Sequence, residues 1–188
     1  MKPKINRSSG ASSKYDCCGT PFYGVMPLLP YLPPAALIWE PAAGEGLMAG
    51  VLRTRFPVVA TDILGGVDFF DSEPARWDVL VTNPPYTLKY QWLERCYLLG
   101  KPFALLMPVE VLGASRAQNL FQRYGVEILF LNRRVDFKMP VRGYDGSGAQ
   151  FPVAWFTYGL RIGREMTFCN VSKPKRVKRK DVVSNGRV

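Results

Sequence analysis

The sequence predicts an α/β fold organised on a mostly parallel sheet, and three observations predict it. Short apolar runs alternate with stretches of helical length between residues 37 and 131, the signature of strands joined by crossover helices. The first run, Leu37-Ile38-Trp39, enters a turn of small residues, Glu40-Pro41-Ala42-Ala43-Gly44-Glu45-Gly46, and then the helical stretch Leu47-Met48-Ala49-Gly50-Val51-Leu52. Strand, glycine turn and helix in that order place a ligand at the C-terminal edge of a parallel sheet. The next two runs end in polar side chains suited to ligand contact, Asp62 and Asn83.

The elements follow in chain order. Residues 1–15 are rich in Ser, Lys and Gly and are expected to be a disordered basic segment. Residues 22–32 read as a helix that Pro27 and Pro30 make irregular, because proline lacks the N–H that a helix interior needs. A strand is expected over 37–40, a helix over 48–55 and a second strand over 58–62. A third strand spans 77–82, followed by a helix over 89–99 with Trp92, Cys96 and Leu99 on one face. Then come a strand over 103–107, a helix over 114–124 and a strand over 126–131. Residues 132–152 are the least regular part of the body, with three glycines and four basic residues. Strands over 153–158 and 161–169 close the pattern. No helix separates these late strands, so an antiparallel hairpin is expected there. One domain is predicted over 16–170, with a basic, disordered tail over 171–188.

Composition narrows the function classes. The chain has 188 residues, 47% of them hydrophobic, which suffices for a buried core. No apolar run is long enough to span a membrane, and the basic N-terminus lacks the apolar stretch of a secretory signal. There is no histidine, and Cys17, Cys18, Cys96 and Cys169 show no metal-ligand spacing. A zinc site and His-dependent nucleophilic schemes are therefore not expected. Reduced thiols and a cytoplasmic location are.

The net charge of +10 is unevenly placed. Residues 1–14 carry +4, 173–188 carry +6, and the body between them is neutral. Within the body, residues 15–110 carry −4 and 111–172 carry +4. A cationic small molecule suits the first half, and a polyanion suits the second half and the tails. Arg133, Arg134, Lys138 and Arg142 in the long loop, with Lys175, Arg176, Lys178, Arg179 and Lys180 in the tail, are candidate phosphate contacts. Phe137 and Tyr144 are candidates to stack on a displaced base or fill its gap.

Asn83-Pro84-Pro85-Tyr86 carries the most chemistry. Prolines fix φ and donate no hydrogen bond, so the lip is rigid and its carbonyls can accept from a ligand. The Asn83 oxygen and a neighbouring carbonyl can grip the two hydrogens of a planar NH2 group, while the Tyr86 ring stacks on the system that carries it. Gly44 and Gly46 let backbone approach a ligand closely, and the following helix offers N–H groups. Glu40 and Glu45 favour a cationic, hydroxyl-bearing ligand over pyrophosphate. Asp62 is placed to hold ribose hydroxyls, with Ile63 beside it. Asp68 is placed to accept from an adenine amine, and Phe69 to pack on the ring.

Over residues 20–158 the sequence resembles the class I S-adenosylmethionine-dependent methyltransferases, specifically adenine-N6 DNA methyltransferases of the small phage or prophage kind. The resemblance assigns Thr20-Pro21 and the following Leu28-Leu29-Pro30-Tyr31-Leu32 to the segment closing over the methionine end of the cofactor. Glu40 to Gly46 (Pro41, Ala42, Gly44 and Gly46 among them) resembles the cofactor loop, and Asp62 its ribose-binding acid. Asp68-Phe69 resembles the pair on the cofactor's adenine, and Asn83 to Tyr86 the catalytic motif, with Ile63 and Asn83 also among the implied cofactor contacts. The cofactor loop precedes the catalytic motif, as in the family's gamma order. The resemblance implies a single Rossmann-like domain with a seven-stranded, mostly parallel sheet ending in an antiparallel hairpin. It also implies S-adenosyl-L-methionine as cofactor, S-adenosyl-L-homocysteine as product, DNA as substrate and a bacterial host cytoplasm as location. Asn stands at position 83 where many adenine methyltransferases carry Asp, and no large target-recognition domain is legible, which leaves room for a separate specificity partner. RNA adenine, a protein glutamine amide, or a non-catalytic nucleic-acid-binding role are the alternatives. Oligomeric state and target sequence are not legible.

Overall fold

The computed structural model describes residues 18–138, residues 151–163 and the backbone of Met166–Cys169. Its strands are β1 (Ile38–Glu40), β2 (Val58–Ala60), β3 (Val79–Thr82), β4 (Phe103–Pro108), β5 (Glu127–Leu131), β6 (Val153–Tyr158) and β7 (Met166–Cys169). Its α-helices are α1 (Phe22–Val25), α2 (Leu47–Leu52), α3 (Lys89–Leu99) and α4 (Ser115–Tyr124). All the strands lie in one sheet in the order β2-β1-β3-β4-β6-β5-β7. The first four run parallel, with Ile38 opposite both Val58 and Val79, and Val81 opposite Ala104. β6 enters antiparallel between β4 and β5, and β7 pairs in parallel with β5.

That last arrangement corrects the expected closing hairpin. The antiparallel partners are β5 and β6, joined through residues 132–152, while β7 lies outside β5 and does not turn back onto β6. A sheet-edge position for β7 depends on which strand offers a free ladder, and local sequence does not encode that.

Strand alternation divides the core into two layers. Ile38, Val79, Val81, Leu106, Leu129 and Trp155 face α1, α2 and the 3-10 turns after α1. Trp39, Leu80, Leu105, Met107, Ile128 and Phe156 face α3 and α4. On α3, Trp92, Leu93, Cys96 and Tyr97 form the buried stripe. Gly100 ends that helix in the left-handed region (φ 69°), where its N–H reaches the Tyr97 carbonyl. The predicted helix over 22–32 shortens to one α-turn and a 3-10 stretch, Met26–Tyr31, as the prolines require. Trp155 locks that irregular segment to the sheet. Its ring is fully buried and its Nε1 donates to the Gly24 carbonyl at 2.9 Å.

Among the described residues no helix is long and apolar enough to cross a membrane, and no cluster of His, Cys, Asp or Glu could hold a metal ion.

Candidate functional site

Because β1 to β5 share one direction, their C-terminal ends and the start of β6 meet at one edge of the sheet. Strand order reverses about β1, with β2 on one side and β3 on the other. A crevice opens outside such a reversal, where the flanking loops turn to opposite faces. Glu40 closes β1 and Asn83 follows β3 at that crevice. Glu40 continues the face of Ile38, and Asn83 continues that of Val79 and Val81.

Glu40 is 2% exposed. Its Oε2 is buried and has no partner. Burial is the main cause that pushes its pKa up to about 8, and Asp62 adds to it. The Arg53 charge and the Ala49 N–H oppose the rise. Burial without full pairing disfavours the charged form.

The turn after β1 is held from the next strand. Gly44 (φ 50°) and Gly46 (φ 79°) are left-handed, and a Cβ at either would meet nothing within 4 Å. Their role is therefore the turn itself and the open space before it. Asp62 accepts the Gly44 N–H at Oδ2 and the Leu64 N–H at Oδ1, both at 2.8 Å. Pro41 is buried, Ala42 packs against the α3-side core, and Glu45 is exposed. Ile63 and Leu64, just beyond Asp62, are 57% and 79% exposed.

Asn83 Oδ1 is buried and has no partner, while Nδ2 donates to the Cys18 carbonyl at 3.5 Å. Pro84 is buried; the Pro85 carbonyl accepts the Leu88 N–H and starts a 3-10 turn over Tyr86–Leu88. The Tyr86 ring lies 6.3 Å from Phe137 and 5.7 Å from Phe151. Lys89 Nζ donates to the Tyr86 carbonyl at 3.4 Å and pairs with Glu110 at 3.7 Å.

Thr20 is buried beside Asn83's partner Cys18, and its Oγ1 has no partner. The Pro21 carbonyl is committed to the Gly24 N–H. Gly19 and Lys138 exchange both backbone hydrogen bonds, at 2.8 and 2.9 Å, so the segment after β5 is stitched to the segment before α1. Tyr23 strengthens that seam: its hydroxyl donates to Asp136 Oδ2 and accepts the Asp136 N–H.

Two expected aromatics are elsewhere. Phe69 is 3% exposed and stacks on Trp92, with ring centroids 3.9 Å apart and planes at 15°, while the Arg95 guanidinium lies 5.1 Å from its centroid. It serves the core rather than presenting a face to a ring ligand. Asp68 accepts the Phe70 N–H and so shapes that loop. Phe137 is also buried, at 8% exposure, and supports Tyr86 instead of reaching outward. Arg133, Arg134 and Lys138 are exposed, as a phosphate contact requires. Arg142, Tyr144 and Lys175, Arg176, Lys178, Arg179 and Lys180 lie outside the described residues.

Sequence reasoning missed the Cys18 carbonyl, Lys89 and Phe151. A cation three residues past Tyr86, and an aromatic before the Pro152 that precedes β6, were signals present in the sequence.

Fold and site together define a doubly wound α/β sheet with a polar crevice at its switch point. No family model matches the chain, and no curated protein does. Solved structures do show likenesses. The type I restriction-modification methyltransferase subunit of Streptococcus thermophilus is 13% identical, covering 85% of this chain and 48% of that one, with a TM-score of 0.47. A modification subunit of a proposed type I restriction enzyme from Vibrio vulnificus YJ016 is 12% identical, covering 84% and 48%, with a TM-score of 0.48. A proposed RNA methyltransferase from Pyrococcus horikoshii is 12% identical, covering 66% and 74%, with a TM-score of 0.38. The chain spans about half the length of the two restriction-modification subunits.

Proposed function

We propose that the chain is an S-adenosylmethionine-dependent methyltransferase that modifies the exocyclic N6 amine of adenine in nucleic acid, DNA foremost. The observation that carries the reading is Asn83 Oδ1, a buried acceptor with no partner at the head of Pro84-Pro85-Tyr86. An unmet buried acceptor costs about 1–3 kcal/mol. An incoming donor can complete it, and a planar NH2 group is such a donor.

The residues around the crevice fit the cofactor. Glu40 keeps one carboxyl oxygen for an ammonium group. Gly44 and Gly46 leave open space beside their backbone. Asp62 spends one lone pair of each oxygen on backbone N–H groups and retains others for ribose hydroxyls. Exposed Ile63 offers the purine an apolar face in place of the buried Phe69. S-adenosylmethionine, when bound, supplies an electrophilic methyl group and leaves as S-adenosylhomocysteine.

The chain's own residues then hold the acceptor. A target adenine is displaced from its stack, at a cost of a few kcal/mol. Asn83 Oδ1 and the Pro84 carbonyl accept from its two amine hydrogens and draw the nitrogen out of conjugation. Tyr86 stacks on the base, with Phe137 behind its ring and Lys89 on its carbonyl. Alignment and fixed dipoles provide the acceleration. The proton lost by the amine passes to water after transfer. Exposed Arg133, Arg134 and Lys138 favour a polyanionic substrate.

The test is incubation with S-adenosylmethionine and duplex DNA, single-stranded DNA or RNA, followed by digestion and mass spectrometry of nucleosides. N6-methyladenine is expected in DNA, and none with Asn83→Ala. Product in RNA alone would redirect the substrate assignment. No modified nucleoside in any polymer, with cofactor binding intact, would point to a protein amide.

A further inference from the structure

Phe22 and Met26 sit four residues apart across α1 and its C-cap and therefore share one side of it. They are 54% and 43% exposed, whereas Tyr23, Gly24 and Val25 between them are buried. The site described above uses neither. Exposed apolar side chains are ordinary when scattered, but these two are tied to a cationic segment. Tyr23, whose ring meets Phe22 edge-on at 5.9 Å, is hydrogen-bonded to Asp136. Gly24 lies against Val135, which a Cβ there would meet at 3.5 Å, an ordinary van der Waals contact. Gly19 is paired with Lys138. The seam joins α1 to residues 132–138, which present Arg133, Arg134 and Lys138 to solvent.

We propose that Phe22 and Met26, with Arg133, Arg134 and Lys138, form a ledge that binds a single-stranded stretch of nucleic acid, one unpaired base resting on Phe22. Charge complementarity selects this occupant. Three cations without an exposed carboxylate among residues 132–138 favour a backbone of phosphates, and an aromatic face beside them favours an unstacked base. Aromatic platforms interleaved with cations are how single strands are held without sequence readout. The same seam reaches Cys18, whose carbonyl accepts from Asn83. The ledge rests on the nucleic-acid reading above and extends it to strand state and to a side chain remote from the reacting atoms.

The experiment measures binding alone, so it does not depend on methyl transfer. A fluorescein-labelled single-stranded 20-mer and its duplex are titrated by anisotropy at several salt concentrations, with the full chain and its variants. Phe22→Ala is expected to weaken single-strand binding by about 5- to 20-fold, the loss of one stacked base, with the salt slope unchanged. Phe22→Trp should retain binding. Arg133→Ala with Arg134→Ala should flatten the single-strand salt slope by about 1.4. Equal affinity of wild type and Phe22→Ala, with the arginine pair still sensitive, would overturn the ledge and leave the nucleic-acid reading intact. A wild-type protein that binds neither polymer would overturn both. If sedimentation shows a dimer that Phe22→Ala dissociates, the face belongs to a second copy of the chain and the proposal fails.

Discussion

The carboxylate of Asp62 accepts the Gly44 N–H at 2.8 Å, so the turn after β1 is held from the loop that follows β2. A second oxygen of the same group takes the Leu64 N–H at 2.8 Å. One side chain thus shapes both walls of the crevice before any ligand arrives. Hydrogen bonds to an ionised acceptor are worth about 1.5–3 kcal/mol each, so Asp62 is a structural clamp as well as a candidate ribose ligand.

Asp62→Ala should therefore lower S-adenosylhomocysteine affinity by at least about tenfold, as both turns relax. Asp62→Asn, which keeps one acceptor oxygen, should lose less. Calorimetric titration checks the order of the three proteins, and equal affinities would remove Asp62 from the site.

Asn83→Ala should abolish methyl transfer while cofactor affinity changes by less than about threefold, because the proposed role of its Oδ1 is to accept from the substrate amine. Single-turnover assays beside calorimetry separate the two. Parallel loss of binding and turnover would contradict the assigned role.

Glu40 makes stability and binding depend on pH. Its folded pKa, about 8, lies above the ordinary 4.5. The unfolded chain therefore loses this proton first as pH rises. The contribution to stability is complete below about 4.5 and is lost progressively up to about 8. Urea denaturation of wild type should show stability falling over that range, and Glu40→Gln should flatten the fall. Binding of a cation beside Glu40 should release a proton near pH 7. Calorimetry in buffers of different ionisation enthalpy should detect that proton with wild type and not with Glu40→Gln.

Phe137→Leu should reduce kcat by on the order of tenfold with little change in cofactor affinity, because Tyr86 loses the edge that orients its ring. An unchanged kcat would show that Phe151 and the backbone suffice to hold Tyr86.

Trp155→Ala should destabilise the fold by about 3–5 kcal/mol, since it empties the centre of the α1-side core. Trp155→Phe should cost less but still leave the Gly24 carbonyl unmet. Urea midpoints rank the three proteins.

The sequence by itself determined the elements whose causes are local. Alternating apolar runs specified β1 to β6 to within a few residues, and the spacing of Trp92 and Cys96 specified α3. Pro27 and Pro30 announced an irregular first helix, and Gly44 and Gly46 the left-handed turn. The edge positions of Glu40, Asp62 and Asn83 were legible for the same reason: each lies at or just after the end of a strand, and parallel strands bring their C-terminal ends together. Only the tertiary structure decided which aromatics are buried. Phe69 and Phe137 read as stackers, but Trp92 and Tyr86, distant or separate in sequence, claim them for the interior. The insertion of β6 between β4 and β5, the Cys18 carbonyl on Asn83 and the raised pKa of Glu40 are also tertiary. Each depends on what the rest of the chain leaves beside a residue once the core has closed, and periodicity and turn chemistry carry no record of that.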